Sequence, residues 1–169
     1  MSTTSLNEVN LEAIGDLAAK IGQEPEVANT IWKADIHWTG GFRSEATVRD
    51  FTLTSDEPTL LGGTDTAANP VEQLLASLGN CLAVGYAANA SIARIEIEDM
   101  QITLEGDLDL HTFLGLRDEN AGYESIRVKV DITSDATDDQ LQALHEKVVG
   151  SSPVGHSLSR PVTVQIDLA

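Results

Sequence analysis

The chain has 169 residues, 41% of them hydrophobic, and carries 10 Lys and Arg against 27 Asp and Glu, for a formal charge of −17. That is apolar material for one ordinary domain, under a surface that repels phosphate backbones and argues against nucleic-acid binding. No apolar run reaches the roughly 18 residues of a membrane span, and the single cysteine cannot close an internal disulfide, so the expectation is a cytoplasmic protein with a reduced thiol.

The opening residues, MSTTSLNEVNLEAIGDL, lack the basic and apolar stretches of a secretory signal. Leu6, Val9, Ile14, Leu17 and Ala18 predict a short amphipathic helix over residues 6–20. Pro25 punctuates its end. Residues 1–28 therefore read as a helical extension ahead of a main domain at 29–169. Alternation follows: Ile31, Ala34, Ile36 and Trp38, then Ala46, Val48, Phe51 and Leu53. With a turn at TGG and a bend at RD, this predicts a two- or three-stranded antiparallel unit.

A Gly- and Thr-rich loop, DEPTLLGGTDTAA, leads to the longest helical candidate, about residues 69–93. Asn69 suits the N-cap, Pro70 the first helical position, and Glu72 falls three residues after the cap. The helix body is apolar on more than one face, as for a helix buried on several sides or lying at a dimer interface. Cys81 sits in its middle.

Residues 96–110 read as a long strand, and SIRVKVDIT as a second with Ile126, Val128, Val130 and Ile132 on one face. A capped helix then starts at Ser134 or Asp135, turns Leu141, Leu144 and Val148 inward, and stops at Gly150. SSPVGHSLSR is a turn or short helix, and PVTVQIDLA a closing strand. Strands and helices in this order argue for an α+β fold rather than a doubly wound parallel sheet.

Three blocks carry a family resemblance: WTGGFRSEATVRDF, DEPTLLGGTDTAANPVEQLLASLGNCLAV and SSPVGHSLSRPVTVQIDL. Together they resemble the OsmC/Ohr superfamily, named for osmotically inducible protein C and the organic hydroperoxide resistance protein. The resemblance implies an intertwined homodimer in which antiparallel sheets wrap around two long cysteine-bearing helices. It also implies a stress-response thiol peroxidase without cofactor. In that chemistry a thiolate attacks peroxide oxygen, becomes a sulfenic acid, and is resolved as a disulfide.

The resemblance assigns roles residue by residue. Cys81 matches the attacking thiol, which works as a thiolate; as a plain helix residue it would be a small hydrophobe. Ser152 matches the second cysteine of a Cys-Pro-Val segment, and a hydroxyl forms no disulfide. Resolution then falls to an external thiol reductant, while Ser152 can cap the turn at Pro153. Arg43 matches the assisting arginine, with Arg49 as the other candidate. Glu72 matches the assisting acid, although hydroperoxide-resistance members usually place theirs where this chain has Val71. Nine residues from Cys81, it falls on the opposite helix face, and a capping box with Asn69 is its other reading.

His37, His111, His145 and His156 lie on separate elements without metal-ligand spacing, so no metal site is expected. His156, near Ser152, could reach Cys81 and would permit Cys–His hydrolase chemistry. The partner expectations are a second copy of the chain, a small peroxide or apolar ligand, and the external thiol. The alternative to an enzyme is a dimer of the same fold that binds a lipid or acid without turnover.

Overall fold

The computed structural model of the chain describes residues 5–168. Its elements run α1 (Leu11–Gln23), β1 (Asp35–Gly40), β2 (Arg43–Val48), β3 (Phe51–Ser55), α2 (Pro70–Ala93), β4 (Asp99–Asp107), β5 (Ser125–Thr133), α3 (Asp138–Val149) and α4 (Pro153–Ser159). Single helical turns stand at Leu6–Glu8, Pro25–Ala28 and Thr59–Leu61. This is an α+β chain with two antiparallel sheets, β1-β2-β3 and β4-β5. No helix among the described residues is long and apolar enough to cross a membrane. The chain forms two compact units, residues 12–74 and residues 5–11 with 75–168.

In the unit of residues 12–74, the three strands form a meander that places Ile36, Ala46 and Leu53 side by side across the sheet, with Val48 opposite Phe51. The alternation in the sequence is this row seen along the chain. Gly40 and Gly41 take positive φ angles of 113° and 61° in the first turn, a conformation that favours glycine. The loop after β3 is tied to one buried carboxylate. Asp56 accepts bonds from the hydroxyls of Thr64 and Thr66 at 2.6 and 2.9 Å and from the N–H groups of Glu57, Thr64 and Thr66. Gly63 is needed in the same loop, since a Cβ there would stand 1.8 Å from the Glu57 carbonyl oxygen.

This loop delivers the chain to α2 through the expected capping box. Asn69 Oδ1 accepts the Glu72 N–H at 2.9 Å, and Glu72 Oε2 accepts the Asn69 N–H at 2.8 Å. Two otherwise unpaired helix-end groups are satisfied reciprocally.

The second unit holds the core: Leu78, Leu82, Tyr86 and Ala90 from α2, with Ile95, Leu144 and Val148. The four α2 residues recur every fourth position and so form one buried stripe. The β4-β5 register pairs Met100 with Ile132, Ile102 with Val130 and Leu104 with Val128. Met100, Ile102, Leu104, Val130 and Ile132 pack against that core from the sheet side, while Val128 is exposed. Two helix glycines permit the approach: a Cβ at Gly79 would lie 2.8 Å from Leu104 Cδ1, and one at Gly85 3.0 Å from Val148 Cγ1. Asn7, in left-handed conformation, pins the N-terminal segment by donating to Ser91 Oγ and the Ile95 carbonyl and accepting the Ile97 N–H.

Two sequence expectations are corrected. α3 begins at Asp138, capped by Thr137, not at Ser134 or Asp135. Thr137 and Gln140 form the reciprocal capping box, while Ser134 Oγ accepts the Ala136 N–H in a turn that precedes the helix. The closing segment, residues 161–168, is not a strand: it pairs with no strand among the described residues, and Val162, Val164, Ile166 and Leu168 are all exposed. Alternation marks an amphipathic ribbon, but strand formation also needs a neighbouring edge to bond. Residue 169 lies outside the described residues.

Candidate functional site

Cys81 lies three helical turns into α2, a free thiol that is half-buried. Its hydrogen-bond partner is Ser152: Cys81 Sγ and Ser152 Oγ are 3.3 Å apart. Ser152 is buried and caps α4, its Oγ accepting the Gly155 N–H at 3.1 Å. That bond uses one oxygen lone pair, so the hydroxyl can still donate its proton to the sulfur or accept one from it. Pro153 at the first helical position explains why the segment turns helical there. The structure thus joins the two sequence-matched positions of the resemblance across 71 residues of chain, with the cap and the thiol contact on one side chain.

Ser152 also belongs to the wall of a cavity of about 620 Å³ formed by α2, β5, α3 and α4. Leu78, Leu82, Ile126, Val128, Val130 and Val149 make it apolar. Tyr86, His145, His156 and Arg160 supply its polar groups. Tyr86 is 1% exposed, and its hydroxyl is 2.5 Å from His145 Nδ1, with the two rings stacked at 6.2 Å between centroids. Burial pushes the Tyr86 phenol up from its ordinary value.

The sequence signal for Tyr86 was present: a tyrosine in the apolar stripe of Leu78 and Leu82 carries a hydroxyl that needs a partner. Nothing local named that partner, since His145 lies 59 residues away. Arg160, at the C-cap of α4, was also not singled out.

The other predicted residues are placed by their own surroundings. Glu72 spends its carboxylate on the Asn69 N–H, about 13 Å along the helix axis from Cys81 and on the opposite face. Arg43 opens β2, is exposed, and points its Nε at the Gly40 carbonyl at 3.4 Å. Arg49 occupies the β2–β3 turn with φ 55°, its guanidinium 5.1 Å from the Phe51 ring centroid. His156 sits on α4 and in the cavity wall. His37 is exposed on β1, and His111 pairs with Asp109 at 2.5 Å. Among the described residues no group of three or more His, Cys, Asp or Glu stands close enough to hold a metal ion.

Comparison with known proteins gives a consistent picture. The model of the OsmC-like protein family matches residues 63–167. Among solved structures, an OsmC-like protein from Mycoplasma pneumoniae superposes with a TM-score of 0.68 at 17% identity, covering 78% of this chain and 89% of that one. An organic hydroperoxide resistance protein OsmC from Legionella pneumophila, described as a predicted redox protein, gives 0.59 at 22% identity, covering 78% and 90%. An organic hydroperoxide resistance protein from Elizabethkingia anophelis with bound thiocyanate gives 0.58 at 20%, covering 76% and 89%. No curated protein matches the chain significantly. At these identities the solved structures show the fold, and the family match spans well over half the sequence: the chain belongs to the OsmC-like protein family.

Proposed function

We propose that the protein is a redox protein of the stress response that reduces organic or hydrogen peroxides through Cys81. The observation that carries the reading is the 3.3 Å contact of Cys81 Sγ with Ser152 Oγ, which puts a hydroxyl where the family resemblance expects a second thiol. Family membership and relatives described as hydroperoxide resistance proteins support the redox role. The Cys81 thiolate attacks the distal peroxide oxygen; the O–O bond breaks, the alcohol leaves with a proton, and sulfur keeps the oxygen as sulfenic acid. An external thiol displaces that oxygen as water and forms a mixed disulfide. A second thiol releases Cys81 and departs as the oxidised disulfide.

In this reading Ser152 donates a hydrogen bond to the thiolate, and Arg43, with Arg49 as second candidate, adds positive charge to the thiolate and the peroxide oxygen. Glu72 supports the site through the start of α2. We place the protein in the cytoplasm and read it as a homodimer. The exposed apolar face of the first sheet, Ile36, Trp38, Phe51 and Leu53, and the exposed Val84 and Ile92 of α2 support the dimer. The experiment is peroxide consumption with excess monothiol: catalytic loss of cumene hydroperoxide by the native chain and none by Cys81→Ser. Equal rates for the two would overturn the reading. Light scattering checks the assembly, with a mass twice that of one chain expected and the mass of one chain contradicting it.

A further inference from the structure

The charge around the cavity beside Ser152 runs against that of the rest of the chain. With 27 acidic residues in 169, carboxylates line the neighbouring concavities of the same unit: Asp107, Asp109 and Glu124 in one, Asp131 and Asp138 in another, Glu96, Glu98 and Asp135 in a third. The 620 Å³ cavity has no carboxylate in its wall; its ionisable groups are Tyr86, His145, His156 and Arg160. Among the described residues the Arg160 guanidinium has no acidic partner, although cations are outnumbered nearly three to one. The volume falls within the roughly 300–1,000 Å³ usual for small-molecule sites. The chain's own apolar tail does not fill it, because Val164, Ile166 and Leu168 stand exposed to solvent.

We infer that this cavity is a binding site for an amphipathic carboxylate, its alkyl chain against Leu82, Val128 and Val149 and its head group held by Arg160, beside the imidazoles of His145 and His156 in the same wall. An apolar wall gains from burying methylenes. An unpaired guanidinium offers a carboxylate a two-pronged, charge-assisted bond that an alcohol matches poorly and a cation is refused. The site does not depend on the thiol chemistry of Cys81, though Ser152 in its wall touches Cys81.

Calorimetric titration of the full chain tests it, with decanoate, decan-1-ol and decyltrimethylammonium as probes. Decanoate binds one per chain, at least about tenfold tighter than either control. Arg160→Gln weakens decanoate about tenfold while leaving decanol unchanged, and Val149→Asp, which puts a carboxylate into the wall, removes the decanoate heat. Both positions are exposed, and thermal melts verify that each variant folds. The same titration on Cys81→Ser gives an unchanged affinity, so a failed peroxide assay and a failed ligand site are told apart. No decanoate binding would overturn the inference, as would equal affinity for all three probes or indifference to both variants. Occupation of the cavity by a second copy of the chain would show as decanoate heat that appears only on dilution to single chains, and would also overturn it.

Discussion

Ser152 Oγ accepts the Gly155 N–H at 3.1 Å and stands 3.3 Å from Cys81 Sγ. One side chain therefore holds the start of α4 and touches the thiol, so that the position of the thiol's neighbour is set by a helix cap rather than by a free rotamer. The two readings of Ser152 taken from the sequence, a cap at Pro153 and a stand-in for a second cysteine, are compatible in this geometry.

Replacing Ser152 with cysteine tests the contact chemically. A thiol at that position is within a small rotation of disulfide distance from Cys81. Ser152→Cys is expected to lose both titratable thiols after one equivalent of peroxide and to run as an internally crosslinked chain without reductant. The native chain under the same treatment forms a mixed disulfide with added monothiol. Two thiols remaining after oxidation of Ser152→Cys would contradict the contact.

The Asp56 knot predicts a pH dependence. The Thr64 hydroxyl first, then the Thr66 and Glu57 donors, hold the Asp56 carboxyl well below the usual carboxylate range, more than offsetting its desolvation. The folded-state value is depressed, so the stabilisation is fully present above the unfolded value of about 3.9 and is lost as pH falls toward the folded value. Asp56→Asn, which keeps the size but not the charge, should lower the melting temperature by several degrees at neutral pH, and the gap to the native chain should close as pH drops below about 4. Melting curves across that range check it; a gap independent of pH would contradict it.

Gly85 tests the packing of α2 against α3. Its missing Cβ leaves room for Val148, which is buried in the core. Gly85→Val should cost about 1–3 kcal/mol through overpacking, despite the better helix propensity of valine. Urea unfolding measures this, and an unchanged midpoint would mean that the two helices do not meet at this point.

What was legible in the sequence was local. The Asn69–Glu72 box, the turns at Gly40 and Arg49, and the inward residues Leu144 and Val148 of α3 each follow from chemistry within a few residues. The start of α3 was missed because Ser134, Asp135 and Thr137 are all good caps, and only the reciprocal bond to Gln140 decides among them. The 161–168 segment shows that alternation records which side chains need cover without naming the strand that supplies it. At the site, Cys81 and Ser152 were found by motif. The Tyr86–His145 pair, the Asn7 pin and the acid-free cavity arise from contacts between distant residues and have no local pattern.

The most direct test of the central claim is dimedone trapping at Cys81. The native chain is treated with one equivalent of cumene hydroperoxide in the presence of dimedone and read by intact-mass and peptide mass spectrometry. The account predicts a single adduct on the peptide containing Cys81, absent from Cys81→Ser and absent when monothiol is added before dimedone. A Cys81 that remains unmodified while the peroxide persists would contradict it.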